Sequence, residues 1–390
     1  MRADRLVFAA TGGWAFGARA AAGAAGAGRR LHVADRLDPA ALAALPTARG
    51  RTAAVAVSES GRTLETRALA EALRDRKRLN PVWLRGDGLS LGDGATTALY
   101  GAPLSLPFML AARMAHGEAI REAYEGFAGL ADDIGTWAAT VALEVTDLHR
   151  TGLHLGRHGG REGLRLFALQ ALRQGLGGKA VSAYPDLVTG QAQAHFDVVI
   201  RIPAVPGLPP LTRTMAALYA VSALTACIGI LRGLAFAEHR NVEAYKRLVD
   251  STCPQPIPID AASLGNLLTT RLSEHEGTRA LHAVCYERRW PALYARTVSR
   301  TCRELGVPAE FHLGSTWNHH SYQAIHGRSA IQVVAIAPRA RPDPLTRLQR
   351  RIAAATCASL PDQALLLERH PSRLRNRASR PGPGEREAET

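Results

Sequence analysis

Thr52-Ala-Ala-Val-Ala-Val57 is an apolar β-type run, and Ser58-Glu59-Ser60-Gly61-Arg62-Thr63 breaks it with a hydroxyl-rich turn around one glycine. Leu64, Ala68, Leu69, Ala72 and Leu73 then recur at helical spacing, so the stretch reads as strand, loop and helix. Such a loop places hydroxyls and unbonded backbone N–H groups at a helix N-terminus. The partial positive charge there favours an anion such as a sugar phosphate.

The pattern extends in both directions. Leu6–Ala10 reads as a strand, Gly12-Gly13 opens a helix of small residues to about Ala27, and Leu31–Ala34 is a second strand. Asp38-Pro39 caps a short helix, because proline suits the first helical position. Val82–Leu84 follows the helix at 63–77, and helices fill 95–150 with breaks at Gly117 and Gly135. The second half repeats the series. Helix 161–175 precedes strands at Lys179–Ala183 and Phe196–Ile202, with helices at 212–233, 241–250 and 260–273. Strands Leu281–Cys285, Glu310–Leu313 and Ala330–Ile336 alternate with helices 290–305 and 344–357. The expected fold is α/β, with two doubly wound parallel-sheet domains of three α/β/α layers. The expected units are residues 1–155 and 156–368, with a basic, disordered tail at 369–390. In such sheets ligands sit beyond the carboxyl ends of strands, where the loops at 11–17 and 58–63 fall.

At 390 residues, with 46% hydrophobic side chains, the chain can bury a large core. The apolar stretch Met215–Leu231 is interrupted by Ser222, Thr225 and Gly229 and reads as a core helix, so no membrane partner is expected. Arg2 and Arg5 precede too short an apolar run for a signal peptide, and a cytoplasmic protein is expected. The formal charge of +14 comes from 45 arginines and only three lysines, Lys77, Lys179 and Lys246. That bias looks like codon usage rather than function, and without an ordered basic face bearing aromatics no nucleic-acid partner is expected. Five scattered cysteines with no Cys-x-x-Cys pair point to reduced, buried thiols. No metal and no cofactor are expected.

Four stretches resemble the two sugar-isomerase (SIS) domains of the glucose-6-phosphate isomerase family, over roughly residues 5–365. Thr11-Gly12-Gly13-Trp14-Ala15-Phe16-Gly17 resembles the family's Gly-Gly-Ser-x-x-Gly loop, and Ser58 to Thr66 its Ser-Lys-Ser-Gly-Thr-Thr-x-Glu-Thr phosphate loop. Phe236-Ala-Glu-His-Arg-Asn-Val-Glu-Ala-Tyr-Lys246 is similar to the segment holding the family's catalytic lysine. Leu313-Gly-Ser-Thr-Trp-Asn-His-His320 is similar to the His-Ser-Thr-Gly-Gln-Leu-His stretch of the subclass fused to transaldolase. The departures are as informative. The family's phosphate-loop lysine is Glu59 here, a nearby threonine is Arg62, and the serine of the first loop is Trp14. The family's Gly-Gly-Arg falls on Gly94-Ala95-Thr96, and its base-bearing Glu-Ser-x-Gly-Lys on Gln174-Gly175-Leu176-Gly177-Gly178. His239 stands where the family has glutamine.

The resemblance assigns catalysis to Lys246 and His320, with His319 the alternative imidazole and Gln174 and His239 at further catalytic positions. It assigns ligand binding to Gly12, Gly13, Trp14, Ser58, Glu59, Ser60, Gly61, Arg62, Thr63 and Thr96. A lone lysine at this motif can hold a phosphate or an enediolate, or act as a desolvated base, and imidazole suits proton transfer near neutral pH. Glu59 opposes a dianionic phosphate, while Arg62 can restore the balance bidentately. Gln174 cannot abstract a proton, so a substitute carboxylate would come from Glu59, Glu238 or Asp250. Trp14 either narrows the sugar pocket or packs in the core. The expected function is proton-transfer chemistry (isomerisation, dehydration or cyclisation) on a modified sugar or specialised metabolite by a remodelled homodimeric isomerase. The alternatives are ordinary interconversion of glucose 6-phosphate and fructose 6-phosphate, and a non-catalytic sugar-phosphate sensor or scaffold.

Overall fold

The computed structural model describes residues 3–24, 30–45, 51–86, 102–145, 151–155, 161–177, 186–187, 198–236, 242–251, 254–275, 277–326 and 330–370. His239, Glu238, Thr96, the expected strand at Lys179–Ala183 and the tail from 371 lie outside the described residues.

Strands and helices alternate from the start: β1 (Arg5–Ala10), α1 (Gly13–Ala24), β2 (Leu31–Ala34), α2 (Pro39–Ala43), β3 (Thr52–Val57), α3 (Leu64–Lys77) and β4 (Val82–Leu84). A helical pair follows, α4 (Leu106–His116) and α5 (Ala119–Glu144). Next come β5 (Thr151–His154), α6 (Arg161–Leu169) running on as a π-helix over Gln170–Gly177, β6 (Asp186–Leu187) and β7 (Val198–Arg201). The rest comprises α7 (Pro210–Leu231), α8 (Val242–Leu248), β8 (Ile257–Ile259), α9 (Ala261–Glu274), β9 (Ala280–Cys285), α10 (Ala292–Glu304) and β10 (Ala309–Leu313). It closes with α11 (Gly314–Asn318), α12 (Tyr322–Ile325), β11 (Ile331–Ala337), α13 (Pro344–Ala358) and β12 (Ala364–Arg369). Helix starts follow capping rules. Asp38, Ser105, Asp260 and Asp343 each accept backbone N–H bonds from the first turn of α2, α4, α9 and α13.

The strands form three sheets, in the orders β2-β1-β3-β4, β6-β5-β7 and β10-β9-β11-β12-β8, and every pairing is parallel. The parallel α/β fold is thus as the sequence implies. What the alternation alone does not give is the division of the second-half strands between two sheets. In the first sheet the order reverses between β1 and β3, so the crevice beyond their carboxyl ends is a topological switch point.

Side chains alternate across β1 and β3 as a sheet covered on both faces requires. Leu6, Phe8, Ala10, Val55 and Val57 enter one core with α1, α5 and α7. Val7, Ala9, Ala54 and Ala56 enter a second core with Leu69 and Leu73 of α3. Val333, Ala335 and Ala337 of β11 share that second core, whereas Val334 and Ile336 face a third. One apolar core is therefore common to the first and last sheets. Helix α7 is by length and composition apolar enough to cross a bilayer, with hydropathy 1.9 over its richest window. It packs as the core helix of the first cluster, with Met215, Leu218, Val221, Leu224 and Ile228 all buried.

Candidate functional site

The loop after β1 turns at Gly12, whose φ of +64° lies in the left-handed region that glycine enters without strain. A Cβ there would stand 3.3 Å from Nδ1 of His319, so the missing side chain lets the first loop approach the imidazole. Beside it the turn after β3 closes on itself: the Ser58 and Thr63 hydroxyls are 2.8 Å apart, and Gly61 N–H donates to Ser58 C=O. Thr63 therefore spends its hydroxyl on Ser58 and makes no side-chain cap on α3. The turn is tied to β4 at two points, Ser58 N–H to Leu84 C=O and Gly86 N–H to Glu59 C=O. Those bonds lay Arg85 over Gly61, with its Cδ 3.3 Å from where a Cβ would be. Glu59, Ser60, Arg62 and Arg85 are exposed around the turn, while Ser58 is buried.

The next residues are buried. Glu65 and Thr66 are fully buried in the first turn of α3, with the Thr66 hydroxyl 3.4 Å from that of Thr11. Oε1 of Glu65 is 3.3 Å from Nε2 of His319, a close contact that falls short of hydrogen-bond geometry. The same oxygen accepts from the Tyr245 hydroxyl at 3.4 Å. Burial pushes the Glu65 carboxyl up, but the close approach of His319, with smaller contributions from the Glu65 backbone N–H and the Lys246 ammonium, outweighs it and holds Glu65 below its ordinary range. Burial, and then the Glu65 charge, raises the Tyr245 phenol well above its usual value. Lys246 follows on the same helix, about one-quarter exposed, with Nζ donating to Glu243 at 2.6 Å.

The structure thus gathers Gly12, the 58–63 turn, Lys246 and His319 around Glu65, at the switch point between β1 and β3. Glu65 is the site residue that sequence reasoning passed over, although it lies within the quoted phosphate-loop stretch. Its neighbour in the other motif, His320, faces elsewhere. Its Nδ1 pairs with the Ser321 hydroxyl at 2.7 Å, and its ring lies 5.3 Å from His312 and 6.3 Å from Phe16. Burial first, then the charges around His312 and Arg173, keep His320 neutral well below the usual histidine range. Gln174 is buried on the π-helix, where its backbone carbonyl accepts from Gln323. Trp14 is buried in the first core beside Phe16. Gly13 begins α1, and Asp250 pairs with Arg351.

Among the described residues one trio, His282, Glu310 and His312, brings possible metal-ligand atoms within 4.8 Å of one another. Its hydrogen bonds assign it another role. The Trp317 indole N–H donates to Nδ1 of His282 at 3.0 Å, which leaves the ring proton on Nε2, the atom turned toward Glu310. A metal would need a lone pair on that atom, which instead carries the proton. Oε2 of Glu310 already accepts from Arg173 at 2.7 Å and lies 3.1 Å from Nε2 of His312. Burial raises the Glu310 carboxyl, yet Arg173 and the two imidazoles bring it well below its ordinary value. The trio is held by its own hydrogen bonds and by the Arg173–Glu310 ion pair.

No protein-family model matches the chain, and no curated protein matches it. Among solved structures, it is similar to a glucosamine-6-phosphate deaminase from Thermotoga maritima, at 14% identity and TM-score 0.41 over 60% of this chain and 88% of that one. It is also similar to the C-terminal domain of a glucosamine–fructose-6-phosphate aminotransferase from Francisella tularensis, at 13% identity and TM-score 0.35 over 59% and 86%. Similarity this low does not extend to function.

Proposed function

We propose that the chain is an enzyme that moves a proton on a sugar phosphate, with Glu65 and His319 as the acid–base pair. The observation that carries this reading is the 3.3 Å contact between Glu65 Oε1 and His319 Nε2, both side chains nearly buried at the switch point of the first sheet. A buried carboxylate on one ring nitrogen fixes the tautomer and steadies the imidazolium, leaving Nδ1 to exchange a proton with substrate beside Gly12. The Lys246 ammonium supplies positive charge near Glu65 for an oxyanion that forms as the proton leaves. The Ser58 turn, with Arg62 and Arg85 beside the uncapped start of α3, holds the phosphate and offsets Glu59. Because Gln174 is an amide, the reading places the base at His319 rather than on the π-helix.

The test is deuterium exchange. The purified protein is incubated with fructose 6-phosphate, glucose 6-phosphate or glucosamine 6-phosphate in D2O, and incorporation next to the carbonyl is followed by NMR. Incorporation by wild type, reduced roughly 100- to 10,000-fold in His319→Ala, is the expected result. Binding without exchange would select the sensor reading. Full exchange in both His319→Ala and Lys246→Ala would move the chemistry away from this site.

A further inference from the structure

The turn that carries His319 is held from outside. Asn318 is fixed between the Tyr286 hydroxyl, 2.6 Å away, and the Thr356 hydroxyl at 2.7 Å. The Tyr322 hydroxyl is 2.7 Å from that of Ser359. Between them Ser321 accepts from Nη1 of Arg173 at 2.8 Å, and its own proton is then available to Nδ1 of His320. Arg173 comes from the π-helix, and its guanidinium is 1% exposed. Its other arm, Nη2, holds Glu310 on β10, the strand that leads into α11 and this turn.

A guanidinium is a planar fork, so its two arms keep a fixed separation. Here one arm grips the strand before the turn and the other grips the turn itself. A single rigid group therefore sets the offset between β10 and residues 319–321, and with it the place from which His319 meets Glu65. Ionic burial of this kind is poor value as stability alone, since desolvation takes back most of the attraction. A π-helical turn that delivers one charged group to a neighbouring motif is a recurrent feature of functional sites.

We propose that Arg173 is a positioning residue, which acts through Ser321 to fix His319 against Glu65. The inference rests on the Glu65–His319 pair being the working part of the site. It is tested on the full chain labelled with 15N-histidine, the His319 ring signals being assigned by their loss in His319→Ala. In Arg173→Lys, which keeps the charge but not the fork, and in Ser321→Ala, the His319 ring signals should move away from their wild-type positions. Leu268→Ala, in the third core, should lower the melting temperature while leaving the His319 signals where they are. If both turn variants leave the His319 ring signals where wild type has them, or if Leu268→Ala moves them equally, the positioning role is overturned. The ring signals are read without substrate, so a chain that exchanges no deuterium loses the enzymatic reading while this measurement still decides the role of Arg173.

Discussion

At the scale of single residues the site turns on two side chains that touch, Glu65 and His319, and on one that is missing, at Gly12. Gly12→Ala should destabilise the protein by about 1–2 kcal/mol, because an L side chain at positive φ is strained. It should also displace the imidazole, since the new methyl meets Nδ1 at 3.3 Å. Urea unfolding gives the first quantity, and deuterium exchange, where wild type shows it, reports the second as a rate loss beyond what stability explains. Gly12, Ser58 and Lys246 could be nominated from sequence because each lies in a short motif with an obvious local geometry. Glu65 was less so. A glutamate in a helix's first turn normally faces water beside the positive end of the dipole, and only tertiary packing shows this one fully buried. Spacing also cannot choose between His319 and His320. Adjacent residues on a helical turn point about 100° apart, so one reaches Glu65 and the other the His312 cluster.

At the scale of elements, the placing of α1 depends on its contact with α6. A Cβ on Gly163 would lie 2.2 Å from the Ala20 nitrogen and 2.6 Å from the Phe16 carbonyl oxygen, both backbone atoms that no rotamer change can move aside. Gly163→Ala should therefore cost at least the usual overpacking penalty of about 1–3 kcal/mol. A variant as stable as wild type in urea would show that the two helices can separate freely. The strong helices and the strands of the first sheet could be read from periodicity, while the short strands could not. Ile257-Pro-Ile259 survives as β8 only because it is an edge strand, where proline's missing donor is tolerated. Thr151-Gly-Leu-His154 carries a glycine that weakens any strand signal, and the leucines of β12 have no alternation to report. The π-helix over Gln170–Gly177 reads from sequence only as the end of helix 161–175.

At the scale of the whole molecule, burial of imidazoles sets the response to acid. His282, His312 and His320 are all held below the ordinary histidine value of 6.5, by burial before any other cause. Below about pH 6.5 the unfolded chain therefore takes up protons that the folded chain refuses, and stability falls with pH by up to about 1.4 kcal/mol per unit for each ring. Glu65 and Glu310 act later in the same direction. Their carboxyls are held below 4.5, so the stability they add is present above that value and is lost as pH falls through their depressed values. The urea midpoint should be level above pH 7 and decline steadily from pH 6.5 to 5, with a shallower slope in His320→Gln. A level midpoint down to pH 5 would contradict this account.

Gly12 and His319 meet although most of the length of the chain separates them. During synthesis the amino-terminal sheet can gather its own strands long before His319 leaves the ribosome, so a nascent or truncated chain carries only one half of this contact. On the proposed reading, ligand binding reports completed folding, and a compound that occupies this crevice would stabilise finished molecules without rescuing stalled ones.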